Sequence, residues 1–168
     1  LPAISLSFEK EEKNIMKRPP RPPGQSVFSD GRGMHMIWVG LLMAGIALAA
    51  QSWAIKNGLH WQTIVFNVLC LAQMGHVLAI RSNSASFFSS GIFSNKLLLL
   101  SVLITLLLQA VITYAPFFQP VFKTESLSLK EFLIAGAASS LVFVAAELEK
   151  MISRIRKKRE KATEEKPV

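Results

Sequence analysis

Three long stretches of this chain contain no Asp, Glu, Lys or Arg. They run from 33 to 55, from 57 to 80 and from 97 to 122. A helix needs roughly 20 mainly apolar residues to cross a bilayer, and each window clears that length. Charge is abundant elsewhere, for the formal net charge is +8 even though 51% of the residues are hydrophobic. A soluble domain would spread its charges over every amphipathic element, and here they are segregated. That pattern excludes a soluble globular enzyme. Cys70 is the only cysteine, so a disulfide scaffold is excluded as well. A sequence pI of about 9.9 would suit a nucleic-acid binder. The basic residues flank apolar spans, however, and no nucleic-acid partner is expected.

The chain therefore reads as an all-α membrane protein with four transmembrane helices in two antiparallel hairpins. A polar, Pro/Arg-rich loop segment (1–33) precedes the four-helix domain (34–150), and a basic tail (151–168) follows it, both polar ends being disordered. Spans are expected at about 34–54, 61–80, 97–114 and 129–148. The connection from Lys56 to His60 is short enough to force a hairpin. Pro116 ends the third span, and Ser128 is positioned to cap the fourth. The fourth charge-free window runs only from 132 to 146. At about 1.5 Å per residue it is roughly 22 Å long, short of the hydrocarbon core. The span must therefore run from Leu129 to Leu148, with Lys130, Glu131 and Glu147 near the interfaces. The opening Leu1-Pro2-Ala3-Ile4 lacks an initiator Met and reads as the middle of a longer chain.

Orientation follows from the Lys and Arg count. With four spans, the head, the middle loop and the tail hold 16 of these residues on one side, against Lys56, Lys123 and Lys130 on the other. Both termini are expected to be cytoplasmic. Trp53, Trp61 and Tyr114 sit near span ends, as interfacial aromatics do, and Trp38 lies about a turn inside.

Several short runs resemble the C-terminal transmembrane region of P-type cation-transporting ATPases, the class that includes calcium pumps. The most specific is Met16-Lys17-Arg18-Pro19-Pro20-Arg21-Pro22-Pro23, which is similar to the loop between the sixth and seventh pump helices. Others are Leu71-Ala72-Gln73-Met74, Arg81-Ser82, Ser94-Asn95-Lys96-Leu97, Tyr114 to Phe122 and Ser126 to Leu129. Their order and spacing carry the resemblance over about residues 1–150. It implies that the four spans are helices seven to ten of a ten-helix pump, with Lys17 to Pro23 as the interdomain loop. The implied partners are the lipid bilayer, the remaining helices and cytoplasmic domains of the pump, and a transported cation. ATP and magnesium would serve the parent protein, and no cofactor is expected in this chain. The implied location is a multi-pass place in the plasma membrane. The family's phosphorylated Asp-Lys-Thr-Gly-Thr run does not occur, and Asp30 is the only aspartate. The chain alone is thus not expected to be an enzyme. An alternative is a stand-alone four-helix protein that binds or regulates another membrane protein. A small secondary transporter is a third, weakened by the lack of buried carboxylates or an inverted repeat.

Gln73 lies near the middle of the second span, where an amide is costly unless it finds partners. Its carbonyl oxygen suits a hard cation, and by resemblance it matches a residue of the eighth pump helix that contributes to one cation site. The other account is an interhelical hydrogen bond. His76 shares Gln73's broad face and is read as packing or hydrogen bonding rather than metal ligation. Asn67 lies roughly 120° away around the helix and is expected to bond a neighbouring helix. Cys70 is read as an inert buried thiol. Gly40, Ala44, Gly45 and Ala49 form two small-xxx-small pairs that allow close helix approach; in the resembling family this helix packs on the fifth. Residues 135 to 140 offer a second small-residue face. Glu147 and Glu149 are expected to pair with Lys150 or Arg154. The basic run from Arg154 to Lys161 is positioned to meet an anionic leaflet.

Overall fold

The structure, a computed structural model, describes residues 2–8, 24, 28, 32–81 and 95–164. In chain order the elements are α1 (Pro2–Ser5) with a 3₁₀ turn at Leu6–Phe8, α2 (Arg32–Lys56), α3 (Trp61–Ile80), α4 (Lys96–Tyr114), α5 (Gln119–Phe122) and α6 (Leu129–Glu164). Among the described residues there is no strand. Among the described residues four helices, α2, α3, α4 and α6, are long and apolar enough to cross a membrane. The expected interdomain-loop residues Lys17, Arg18, Pro19, Pro20, Arg21, Pro22 and Pro23 lie outside the described residues.

Local chemistry sets the helix boundaries. At the end of α2, Gly58 takes a left-handed φ of +64°. Its N–H donates to the Ile55 carbonyl at 3.1 Å, and Leu59 N–H donates to the Ala54 carbonyl at 2.9 Å. This paired closure satisfies carbonyls the last turn would leave free. At the start of α4, Asn95 Oδ1 accepts from Leu98 N–H at 2.9 Å, while its Nδ2 donates to the Ser5 carbonyl at 3.2 Å. One side chain thus caps α4 and seats α1 beside it. After α4, Thr124 Oγ1 donates to the Ile112 carbonyl at 2.8 Å and Gln119 Nε2 to that of Thr113 at 3.0 Å. At the start of α6, Ser128 and Glu131 form a reciprocal capping box: Glu131 Oε2 accepts from Ser128 N–H at 2.7 Å, and Ser128 Oγ accepts from Glu131 N–H at 3.3 Å.

The fourth helix corrects the sequence reading. It does not stop near Leu148 but continues to Glu164, so much of the tail expected to be disordered is helical. No Gly or Pro interrupts residues 137 to 166, and the Lys, Arg and Glu that fill the extension are good helix formers.

Packing centres on α3. Helix α2 runs antiparallel to it, with His35 beside His76 at one end and Ala54 packed with Ile64 at the other. Helix α6 runs parallel to α3, for Ser139 Oγ meets the Val68 carbonyl and Lys150 Nζ meets the Ala79 carbonyl at the same sequence offset. The stripe Ile64, Val68, Ala72 and Ala79 on α3 is buried, as are Ala135, Ser139, Val142 and Ala146 on α6. Gly75 continues that stripe: a Cβ added there would meet Phe143 Cβ of α6 at 3.4 Å. Small residues on both helices permit this close approach. Helix α4 lies on another side of α3, with Leu98 and Val102 packed against Met74. The principal partner of α6 is therefore α3, and not its chain neighbour α4 as a two-hairpin scheme suggests. The long 115–128 connection, with α5 inside it, gives the chain room to cross over. Outward, α4 shows Leu100, Leu103, Leu107 and Leu108, an exposed apolar surface suited to lipid rather than water.

Candidate functional site

The faces of α3 sort its side chains into three environments. Asn67 is buried against α4 and Thr63 against the 115–128 connection, and the Ile64-to-Ala79 stripe is buried toward α2 and α6. The third face, with Leu69, Gln73 and Ile80, is exposed. Among the described residues Gln73 has no hydrogen-bond partner on another helix, and its side chain lies on this exposed face. Gly40, Ala44, Gly45 and Ala49 of α2 are likewise exposed. A Cβ added at Gly40 or Gly45 would find nothing within 4 Å. The small-residue face that does pack within the chain is the one beginning at Ala135, closed against α3.

A polar seam joins α3 to α4. Asn67 Nδ2 donates to Thr113 Oγ1 at 3.2 Å and to the Thr63 carbonyl at 2.9 Å. Ser101, Gln109 and Thr113 are all buried, and with Thr105 they recur every four residues on one face of α4. The hydroxyls of Ser101 and Thr105 are satisfied by carbonyls of their own helix. Gln109 Nε2 is buried and has no partner among the described residues. With apolar side chains outside and polar ones inside, this helix reverses the pattern of a soluble surface helix.

Two ionisable clusters close the ends of the bundle. At one end, His35 Nδ1 lies 2.5 Å from Glu149 Oε2, and His35 Nε2 lies 3.2 Å from His76 Nε2. The Trp38 ring stands edge-on to His35 with centroids 6.0 Å apart. Lys150 Nζ donates to the Ala79 carbonyl and pairs with Glu147 at 3.0 Å. At the other end, His60 Nε2 lies 3.0 Å from Glu125 Oε2, and its Nδ1 lies 3.4 Å from Glu131 Oε1. Glu125 N–H also donates to Thr63 Oγ1 at 2.9 Å. The loop after α2 is thereby stitched to the loop before α6.

Asn67, expected to bond a neighbouring helix, bonds α4. His76 is hydrogen-bonded to His35, and Glu147 takes Lys150 as expected. Glu149 differs: its partner is His35 of α2 rather than Lys150 or Arg154, because it projects from α6 toward the start of α2. Sequence reasoning passed over His35, His60, Glu125 and Thr113. The four-residue spacing of Ser101, Thr105, Gln109 and Thr113 was the available signal for the seam. For the histidine clusters there was none, since each draws on segments far apart in the chain. Among the described residues no group of three or more His, Cys, Asp or Glu is arranged to hold a metal ion.

Residues 1–152 match the family model described as "Cation transporting ATPase, C-terminus". The chain is 34% identical to a calcium-transporting ATPase of Bacillus subtilis over 84% of its own length and 16% of the relative's. It is 32% identical to the mouse calcium-transporting ATPase type 2C member 2, over 92% of the chain and 17% of the relative. It is 30% identical to calcium-transporting ATPase 1 of Schizosaccharomyces pombe, over 91% of the chain and 17% of the relative. The chain thus spans about a sixth of the length of these relatives.

Proposed function

The chain belongs to the cation-transporting ATPase C-terminal family, and from that premise we propose that it is the membrane support domain of an ATP-driven calcium pump. In this reading it supplies helices seven to ten, with both termini cytoplasmic, in the plasma membrane. It packs against the remaining helices and contributes the Gln73 carbonyl oxygen to the path of the transported cation. Hydrolysis of ATP with magnesium belongs to domains outside these four spans.

One observation carries the proposal. The chain leaves the Gln73 amide and a small-residue face uncovered at membrane depth, although Asn67, Ser101, Gln109, Thr113 and Ser139 of the same bundle are buried. A lipid-facing amide is costly, and a Gly/Ala face in lipid forgoes the close packing it permits. Both features make sense when further helices cover them. A neutral amide provides an oxygen ligand for a hard cation without adding charge to the site.

The experiment is cation activation of phosphoenzyme formation, measured with this chain joined to the remaining helices and cytoplasmic domains of a pump. Gln73→Leu removes the oxygen at similar bulk, and cation affinity should fall at least several-fold. Asn67→Leu, on the α4-facing side, should alter stability and leave cation dependence unchanged. Unchanged activation in the Gln73→Leu pump would refute the ion-path role.

A further inference from the structure

At the end of the bundle that holds His35, one hydrogen-bonded array draws on three helices: Glu149 from α6, His35 from α2 and His76 from α3. The two imidazole planes are 23° apart with centroids separated by 5.4 Å. Their Nε2 atoms are much closer, at 3.2 Å. Each nitrogen therefore sits on the ring edge that faces the other ring, the arrangement of an N–H···N hydrogen bond rather than of two nitrogens converging on a shared ion.

Proton positions follow from the donor inventory. An ionised carboxylate only accepts, so His35 Nδ1 must carry the hydrogen given to Glu149. Neutral His35 then has a lone pair on Nε2, and His76 must donate from its own Nε2. A first added proton goes to His76 Nδ1, which leaves every bond of the array in place. It also balances the charge of Glu149. A second proton on the imidazoles has only one place to go, His35 Nε2, and there it would confront the hydrogen already lying between the rings. Two imidazolium rings would then face each other, N–H against N–H, with like charges in contact. The charges that act on His76 besides His35 are Glu149 and Lys150 of α6, and Lys150 is already engaged by Glu147 and the Ala79 carbonyl. No further acceptor in this array can take up the repulsion.

We propose that His35, His76 and Glu149 form a proton-binding relay that holds α2 against α3 and α6 with zero or one added proton and releases α2 on the second. The ligand is the proton, and the moving part is the His35 end of α2. The inference stands on the geometry of this chain and does not require the pump reading.

The test uses the full chain in lipid nanodiscs. Imidazole ¹⁵N resonances are followed from pH 8 to pH 4 and assigned with His35→Gln and His76→Gln. In parallel, spin labels at the exposed positions Ile37 and Ile80, on a Cys70→Ser background, report the α2–α3 distance. Two linked steps separated by more than about one pH unit are expected, with the label distance shifting to longer values only in the lower step. His76→Gln is the decisive variant. Its amide can donate to neutral His35 or accept from protonated His35, so the lower step and the distance shift should both disappear. Independent titration of the two histidines, a distance unchanged down to pH 4, or the same opening in His76→Gln would each overturn the proposal. His35→Gln, carrying the same amide on the other helix, gives a second reading if His76→Gln fails to fold.

Discussion

The hydrogen bond from Asn67 to Thr113 ties α3 to α4, and a double-mutant cycle measures it. Both residues are buried, at 1% and 0% exposure, and Nδ2 lies 3.2 Å from Oγ1. Asn67→Ala also loses the 2.9 Å bond to the Thr63 carbonyl and leaves a cavity. Those losses occur whether or not Thr113 is present, so they cancel in the cycle. Thr113→Val keeps the side chain's shape and removes the hydroxyl. The coupling that remains should be about 0.6 kcal/mol, the average for interhelical bonds in membrane bundles, and no more than about 1.7 kcal/mol. The assay is reversible unfolding in mixed bicelles with increasing SDS, read by helical circular dichroism for the parent, both single variants and the double. A coupling indistinguishable from zero would mean that the bond does not hold the two helices together. A coupling well above about 2 kcal/mol would mean that the Asn67→Ala bundle traps an unpaired Thr113 hydroxyl. In the Asn67→Ala bundle the Thr113 hydroxyl should instead turn back to a carbonyl of its own helix, as Thr105 does toward Ser101, and a coupling that large would refute this.

Two further predictions concern topology and the start of α6. With Cys70→Ser as background, cysteines at 56 and 123 should react with an impermeant reagent from outside intact cells and those at 81 and 156 should not; labelling at 81 would overturn the four-span orientation. Ser128→Ala removes the hydroxyl partner of Glu131 in the capping box and should cost about 1 kcal/mol in the same unfolding assay, whereas no measurable loss would show that Glu131 holds the α6 start through the Ser128 N–H alone.

Segregation of charge determines where the spans are. A backbone in hydrocarbon must satisfy its own hydrogen bonds, which leaves an apolar window of about 20 residues little choice but helix. Helices α2, α3 and α4 each contain most of one charge-free window, and α3 runs from Trp61 to Ile80. The start of α6 was equally legible, because Ser128 and Glu131 bring their capping chemistry within three residues of each other. Its end was not. The search for a span stopped where polarity began, but helix propensity does not stop there, and nothing breaks the helix before Glu164.

Which helices touch was decided only in three dimensions. Gly40, Ala44, Gly45 and Ala49 carry as clear a small-residue signal as Ala135 and Ser139, yet the first set is exposed and the second packs on α3. Sequence composition reports that a face can be approached closely; it does not report what approaches it. The same holds for the ionisable groups. His35, His76 and Glu149 lie 41 and 73 positions apart along the chain, and no sequence motif links them. They meet because α2 runs antiparallel to α3 while α6 runs parallel to it, which brings the start of α2, the last turns of α3 and the middle of α6 together.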